Sequence, residues 1–213
     1  MANKKTNAAP FLIFVAIAGI VLAVILISSP KKTSAPSQSS DQAAVKADDA
    51  HIYRDDAPYT GNKDAGVKVV IFSDYLCPYC KSITATLDEL VDKHPNDLVI
   101  YHRTFIIHPQ AEVLSRAAEA AFLQGKFKEA NDLIFDKYQE SDESGLAQLA
   151  KDLGLDEAKF KNDLSSDTVK QKVQKDNDDA AEMQLQGTPS LFVNGEYLED
   201  LSQLTQQIEG LLK

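Results

Sequence analysis

The apolar and polar positions divide the chain into an N-terminal apolar run, a polar stretch and a long periodic part. The run, residues 11–27, holds no polar side chain, and together with the small residues beside it the run is long enough to cross a bilayer. The polar stretch is rich in Ser, Ala, Lys and Asp, a composition typical of a flexible tether. The pattern therefore predicts a short tail (1–10), a transmembrane anchor (11–29), a linker (30–51) and a folded domain (52–213).

The apolar run is interpreted as an uncleaved signal-anchor that crosses the membrane once. Cleavage of a signal peptide needs small residues before the cut and an acceptable residue after it, but the small pair at 28–29 is followed by Pro30. No cysteine follows the run closely, which excludes a lipid-modified N-terminus. Two lysines lie close to the run on each side, so the flanking charges do not fix its orientation.

From about residue 52, apolar residues recur at the spacings of strands and helices. The order is strand, helix, strand, several helices, hairpin and helix, which indicates an α/β domain with a helical block inserted at about 111–185. The predicted elements are a buried strand (67–73), a helix that ends near Lys93, a second strand (98–104), helices over 111–138, 145–164 and 167–185, a hairpin (191–198) with the turn Asn194-Gly195, and a closing helix (201–212).

Composition and charge narrow the possible functions of this domain. Hydrophobic residues make up 44% of the chain and charged residues 25%, so an ordinary core can form without metal or disulfide cross-links. The net charge of −10 repels phosphate backbones, which excludes nucleic acid as the expected partner. The chain has two cysteines, too few for a disulfide-stapled scaffold, and only two residues separate them.

Cys77 and Cys80 are close enough along the chain to form a disulfide with each other or to bind a metal together. A structural zinc ion usually needs four Cys or His ligands, so two more would have to come from histidine. The histidines lack the short paired spacing of a zinc finger, and we therefore predict no metal site. These histidines are His51, His94, His102 and His108.

The two cysteines have the placement of a redox-active dithiol. Cys77 lies where the predicted strand ends and the helix begins, so unpaired backbone N–H groups and the helix dipole stabilise a thiolate there. Pro78 suits the first helical turn, and Cys80 lies one turn further on, within reach of a disulfide with Cys77. We expect Cys77 to be the attacking and leaving sulfur and Cys80 the resolving one. Pro78 and Tyr79 are expected to tune the redox balance.

Two motifs resemble those of a known family. They are residues 72–80 (FSDYLCPYC) and residues 187–195 (GTPSLFVNG). Together and in this order, they resemble the DsbA-like branch of the thioredoxin superfamily, the thioredoxin-4 group, and the similarity covers about residues 52–213. The resemblance implies a thioredoxin fold, with a central mixed sheet and the inserted helical block, preceded here by one N-terminal transmembrane helix. It also implies a protein disulfide oxidoreductase that needs no cofactor.

The resemblance further implies the surroundings of the dithiol. The peptide bond before Pro189 should be cis, which would place the Thr188 backbone beside the cysteines. There it could pair with an extended substrate segment and keep a metal away from the thiols. Tyr79 stands where DsbA has a histidine, and Ile71 where the best-known thioredoxins have a buried aspartate. These departures leave the redox direction open.

Oxidation of exported proteins is the function expected from the motifs and the anchor. Reduced exported polypeptides would be the substrates, and a quinone-linked membrane partner would reoxidise the cysteine pair. The domain would be a monomer outside the cytoplasm, held at the cell membrane by a single span. Two alternatives stay open: a disulfide reductase or isomerase of the same fold, and a tethered module that binds a metal or a protein without catalysis.

Several other features have structural interpretations. Asp74 and Glu112 are candidates for a proton acceptor near the dithiol, although a surface or capping role is the simpler prediction. His108 is expected to lie in a turn, and the apolar residues 105–107 are expected to pack rather than to form a substrate groove. The acidic run 176–179 is expected on a solvated helix face.

Overall fold

The computed structural model describes residues 49–212, with side chains from His51 onward. Strands and helices both occur along this span. In chain order they are α1 (Asp49–Ile52), β1 (Tyr59–Gly61), β2 (Val67–Ser73), α2 (Pro78–Lys93), β3 (Leu98–Thr104), α3 (Ala111–Phe122), α4 (Phe127–Leu133), a π-helical turn (Ile134–Tyr138), α5 (Glu143–Asp152), α6 (Glu157–Ser165), α7 (Asp167–Glu182), β4 (Ser190–Val193), β5 (Glu196–Tyr197), a 3₁₀ turn (Leu201–Gln203) and α8 (Leu204–Leu211).

The strands form one mixed sheet in the order β1-β3-β2-β4-β5. β2 and β3 are parallel and in register from Val67 beside Leu98 to Ser73 beside Thr104. β4 runs antiparallel to β2 on its other edge, while β1 pairs antiparallel with β3 and β5 with β4. β2 is buried at every position except Lys68 and Ser73, as expected for a strand covered on both faces. The predicted α/β fold with a central mixed sheet is confirmed.

The connection between β4 and β5 has the two-residue turn that the sequence predicts. Asn194 and Gly195 adopt positive φ angles of 50° and 87°, which a turn of this kind requires and these residue types tolerate best. The Asn194 side chain also accepts the backbone N–H of Lys68 at 2.8 Å. The turn residue therefore ties the hairpin to β2 as well as reversing the chain.

Helices cover both faces of the sheet. On one face, Val69 of β2 packs in a cluster with Leu87 of α2 and Ile208 of α8. On the other face, Phe72 of β2 packs in a cluster with Ala180 of α7. Successive residues of β2 point to opposite faces, so this one strand contributes to both clusters and lies at the centre of the fold.

The helices between β3 and β4 contribute a third buried cluster. It includes Leu114 of α3, Ile134 of the π-helical turn and Leu149 of α5. Cys77 and Cys80 also belong to this cluster, although they lie at the boundary between β2 and α2. The dithiol is therefore located where the helical block packs against the sheet.

The start of the described chain packs on the sheet domain. α1 overlaps the end of the segment predicted as a linker (30–51), and Ile52 is only 1% exposed. Arg103 of β3 donates hydrogen bonds to the backbone carbonyls of His51 and Ile52 at 3.0 and 2.9 Å. The folded part of the chain thus includes residues that composition alone assigned to the linker.

The other N-terminal predictions fall on positions that precede the described span. These are the tail (1–10), the transmembrane anchor (11–29) and the remainder of the linker. Between residues 49 and 212, no helix combines the length and apolar character needed to cross a membrane.

β1 is the strand that the sequence pattern did not reveal. It has three residues, which is too short for an alternating pattern, and it pairs from Tyr59 beside Tyr101 to Gly61 beside Val99. Gly61 has a φ of 86°, and a Cβ added there would lie 2.2 Å from the carbonyl oxygen of Leu98. Only glycine fits at that position, so β1 depends on this residue to approach β3.

The acidic run of α7 is not solvated as expected. Asp176 and Asp179 are each 2% exposed, and both contact Arg103, which is 1% exposed. The distances are 2.6 Å from Nε to Asp176 Oδ1 and 2.6 Å from Nη2 to Asp179 Oδ2. Arg54 provides a second guanidinium at 2.7 Å from Asp176. The expectation was wrong for these two residues because the two arginines that pair with them lie 73 or more residues earlier in the chain.

His102 of β3 makes the stability of the fold depend on pH. Its Nε2 lies 3.1 Å from Thr60 Oγ1, and its ring packs on Phe127. Burial lowers the pKa of His102 from 6.5 to about 3, so the folded protein keeps the imidazole neutral while the unfolded chain takes up a proton. The stability that this group contributes is therefore present above about pH 6.5 and is lost as the pH falls toward about 3.

We expect His102→Gln to lose less stability on acidification than the unaltered chain. Each unit of pKa difference corresponds to about 1.4 kcal/mol, so between pH 7 and pH 5 the difference should be on the order of 2 kcal/mol. Denaturant unfolding at the two pH values measures it, and glutamine keeps a polar group beside Thr60. Equal losses of stability in both proteins would show that His102 does not carry this pH dependence.

Candidate active site

Cys77 occupies the position just before α2. Its backbone is extended, with φ of −85° and ψ of 116°, and its sulfur accepts the N–H of Cys80 at 3.4 Å. Pro78 is the first residue of α2, where a missing N–H has no cost. The Cys77 sulfur therefore faces the unpaired N–H groups at the start of a 16-residue helix, a place where negative charge is stabilised.

Cys80 lies one turn into α2 and is shielded from solvent. It is 0% exposed, whereas Cys77 is 6% exposed. Burial raises the pKa of the Cys80 thiol to about 12, and the neighbouring Cys77 contributes to the same shift. Both cysteines are free thiols in this structure. A molecule that approaches from outside thus meets Cys77 first, while Cys80 stays protonated at neutral pH and reacts from within.

The segment before β4 completes the surroundings of Cys77. The Thr188-Pro189 peptide bond is cis, which confirms the expectation drawn from the resemblance. The Cys77 thiol donates a hydrogen bond to the carbonyl oxygen of Thr188 at 3.5 Å. Because β4 pairs with β2, it brings a segment 111 residues later in the chain next to the dithiol. The predicted substrate-binding residues and the predicted catalytic pair therefore lie together.

Asp74 connects the turn that carries Cys77 to the loop that follows β3. It is 0% exposed, and its carboxylate accepts the N–H of Leu76 at 2.7 Å and those of Ile107 and His108 at 2.8 Å. The Nδ1 atom of His108 lies 3.2 Å from the same carboxylate, and the Asp74 carbonyl accepts the N–H of Cys77. A surface role is wrong for Asp74, which is buried, and the helix that follows is capped by Cys77 instead. The Asp74 side chain accepts one backbone amide in its own turn and two in the loop after β3.

The structure places Tyr79 of the active-site motif and Glu112, the other proton-acceptor candidate, at the surface. Tyr79, between Pro78 and Cys80, is 75% exposed. The side chain of Glu112 is 55% exposed in the first turn of α3, and it lies 3.6 Å from Arg116. Glu112 thus has the surface role that was the simpler prediction.

Contacts that the sequence did not predict connect the turn of Cys77 and the start of α2 to the helical block. The Tyr75 hydroxyl donates to Asn131 at 2.8 Å, and the Tyr75 ring packs on Phe135 with 4.7 Å between centroids. The Gln139 amide donates to the Tyr75 carbonyl, and Lys81 donates to the Phe135 carbonyl at 3.1 Å. Phe135 belongs to the π-helical turn, a feature often found at functional sites. These partners are 54 to 64 residues apart, so no local pattern could indicate them.

The arrangement can carry out thiol–disulfide exchange. It has one accessible sulfur at a helix N-terminus, a second sulfur in the next turn of the same helix, and a backbone carbonyl opposite the first. Within the described part of the chain, no three His, Cys, Asp or Glu side chains are grouped to hold a metal ion.

Comparisons with known proteins agree with this geometry. The thioredoxin-4 family model, described as thioredoxin, matches residues 54–211. A thioredoxin-like oxidoreductase from Silicibacter pomeroyi DSS-3 is similar in structure with a TM-score of 0.65 and 28% identity, over 78% of this chain and 98% of the other. The oxidised form of BdbD from Bacillus subtilis has a TM-score of 0.64 and 26% identity, over 74% of this chain and 93% of the other.

Curated relatives contain a similar segment within longer proteins. The Na(+)/H(+) antiporter NhaA 1 from Mycolicibacterium vanbaalenii is 37% identical over 140 residues, which are 63% of this chain and 23% of that protein. The chain therefore spans less than a quarter of the length of the first curated relatives it matches. The family model, in contrast, extends over nearly all of the described residues. The chain belongs to the thioredoxin-4 family, the DsbA-like group of thiol–disulfide oxidoreductases.

Proposed function

We propose that the protein is a membrane-anchored oxidoreductase that introduces disulfides into exported proteins through Cys77 and Cys80. The observation that carries the proposal is the asymmetry of the pair. The Cys77 sulfur lies at a helix N-terminus 3.5 Å from the Thr188 carbonyl, while Cys80 is fully buried. A reactive outer sulfur and a protected inner sulfur let the pair exchange with one substrate at a time.

The exchange begins from the oxidised pair. A substrate thiolate attacks the Cys77 sulfur, the bond to Cys80 breaks, and the Cys80 thiolate that leaves takes up a proton. A second substrate thiolate then attacks the substrate sulfur joined to Cys77, and Cys77 leaves as a thiolate at the helix N-terminus. The substrate has lost two electrons and formed a disulfide. The protein has taken up these two electrons and is now a dithiol.

Thr188 and Pro189 are the proposed substrate-binding residues. The Thr188 carbonyl faces Cys77, so an extended substrate segment that pairs with this backbone would carry its cysteine to the attacked sulfur. Pairing through backbone groups does not depend on which side chains the substrate segment carries. That property suits a protein that acts on exported polypeptides of different sequences.

The proposed location of the protein and its proposed partners rest on the sequence, not on the structure of the described domain. An anchor at residues 11–29 would hold the protein at the cell membrane as a single-pass monomer, with the catalytic domain outside the cytoplasm. After each cycle the dithiol must lose two electrons, and a quinone-linked membrane protein would accept them. The chain itself would need no cofactor, because the two sulfurs carry the electrons.

The reduction potential of the cysteine pair tests the direction of the reaction. We expect a value near or above about −150 mV, because the helix N-terminus stabilises the Cys77 thiolate and so favours the dithiol form. The full chain, solubilised in detergent, is equilibrated with glutathione buffers. Acid quenching and alkylation then show by mass spectrometry how much dithiol remains, and Cys77→Ser, which cannot form the pair, calibrates the alkylation.

Two other results would contradict the oxidation proposal. A potential near about −270 mV would place the protein with disulfide reductases or isomerases of the same fold. A pair that does not exchange with glutathione at all would favour a binding module without catalysis.

A further inference from the structure

The loop that follows β3 is held along its whole backbone. We call residues 105–108 the β3 loop. Each of its amide groups, and that of the residue before it, donates to an acceptor outside the loop, and four of the five bonds end on side chains. The acceptors are Asp176 Oδ2 for Thr104 at 2.9 Å, the Ser73 carbonyl for Phe105 at 2.9 Å, Asn177 Oδ1 for Ile106 at 2.7 Å, and Asp74 Oδ2 for Ile107 and His108 at 2.8 Å.

The β3 loop lies at the same end of the sheet as Cys77, on the β3 side of β2. β2 and β3 are parallel and in register, so their C-terminal ends meet at one edge of the sheet. Asp74 follows β2 directly and bonds both to the β3 loop and to the turn of Cys77. β4 pairs with the opposite edge of β2, so the β3 loop and Thr188 flank the dithiol from two sides.

The first three side chains of the β3 loop are apolar and at least partly open to solvent. Ile107 is 47% exposed, and Phe105 and Ile106 are partly exposed. Tyr79, next to Cys80, is 75% exposed. The prediction that residues 105–107 serve only for packing is therefore incomplete. A backbone fixed by hydrogen bonds along its length, with an exposed isoleucine among its residues, is a prepared contact surface rather than a flexible connection.

We propose that the β3 loop is a second contact wall for the polypeptide substrate and that Asp74 and Asn177 are its positioning residues. This proposal rests on the proposed function. Ile107 contacts an apolar side chain next to the reacting cysteine of the substrate, while Thr188 pairs with the substrate backbone on the other side. Because Asp74 and Asn177 fix the loop in advance, binding does not have to order it.

Asn177 offers the clearest test because it lies on α7 and its bond to the β3 loop is the one it accepts from Ile106. Its side chain accepts the Ile106 N–H and donates to the carbonyl of Val173 one turn earlier. Asn177→Ala removes the acceptor, and Asn177→Asp keeps it. With a reduced two-cysteine peptide that carries leucine beside each cysteine, and glutathione disulfide as oxidant, Asn177→Ala should raise KM roughly threefold to tenfold with kcat little changed. Asn177→Asp should restore most of the loss.

The contact itself is tested with a matched pair of peptides. The unaltered chain should prefer the leucine peptide to the same peptide with serine, by roughly threefold to tenfold in kcat/KM, and Ile107→Ala should remove that preference. Gln171→Ala, at an exposed position on the same helix, is the control and should change neither quantity.

The outcomes separate the two proposals. If the unaltered chain exchanges with glutathione but Asn177→Ala and Ile107→Ala leave KM and the leucine preference unchanged, the second wall is wrong and the proposed function stands. A rise in KM that Asn177→Asp does not reverse also contradicts the positioning role. If the unaltered chain does not exchange with glutathione, the proposed function fails and the wall fails with it.

Discussion

Replacing Cys80 with serine is expected to leave Cys77 in a disulfide that the protein cannot resolve. When glutathione disulfide is added, the Cys77 thiolate attacks it, one glutathione becomes joined to Cys77, and the other leaves as a thiolate. In the unaltered chain the Cys80 thiol then attacks the Cys77 sulfur, releases the glutathione and closes the protein disulfide. Without Cys80 the first adduct accumulates, and acid-quenched mass spectrometry should find close to one glutathione per chain.

Cys77→Ser is the matched control for this experiment. Cys80 is 0% exposed, and burial raises its pKa to about 12, so very little thiolate is present and little of it can be reached. We expect adduct formation at Cys80 to be slower by at least about two orders of magnitude, because the raised pKa lowers the thiolate fraction of Cys80 below that of an ordinary thiol by more than this factor. Equally rapid adducts in both variants would contradict the assignment of an attacking and a resolving sulfur.

Replacing Arg103 with methionine is expected to cause a large loss of stability. Methionine fills much of the space of the arginine stem, but it leaves Asp176 and Asp179 buried without the guanidinium that lies 2.6 Å from each. Removing one partner of a buried ion pair costs about 3–5 kcal/mol. The backbone carbonyls of His51 and Ile52 lose a donor as well. Denaturant unfolding followed by circular dichroism measures the difference.

Lys175→Met provides the comparison for Arg103. Lys175 contacts Asp179 at 2.9 Å, but its side chain is 56% exposed, so its loss should cost about 0–1 kcal/mol. If Arg103→Met is no more destabilising than Lys175→Met, burial of the pair does not determine its contribution. The two variants remove one positive charge each, which keeps the net charge of the proteins equal.

The parts of the fold that depend on residues close together along the chain could be predicted from the sequence. The strands at 67–73 and 98–104 agree with β2 and β3 because an apolar, β-branched run is recognisable by itself. The Asn194-Gly195 turn is equally local. β1 was missed because three residues carry no period, and the burial of Asp176 was missed because Arg103 reaches it from a different element.

The candidate site likewise has a part that the sequence could predict and a part that it could not. Cys77, Pro78 and Cys80 form a local motif whose chemistry follows from a helix N-terminus, and the cis bond before Pro189 was expected from the family resemblance. The support behind the motif was not predicted. Asp74 became significant only when the fold brought the β3 loop to it. Side chains that bond to the backbone of another segment leave no periodic signal in either segment.

The distance along the chain between Cys77 and Thr188 has a consequence for how the protein matures. The two residues are 111 positions apart, and synthesis proceeds from the N-terminus, so the cysteines are made well before the segment that will lie against them. If the proposed function is right, a newly exported copy would present uncovered cysteines and would itself be a reduced polypeptide of the kind that folded copies oxidise.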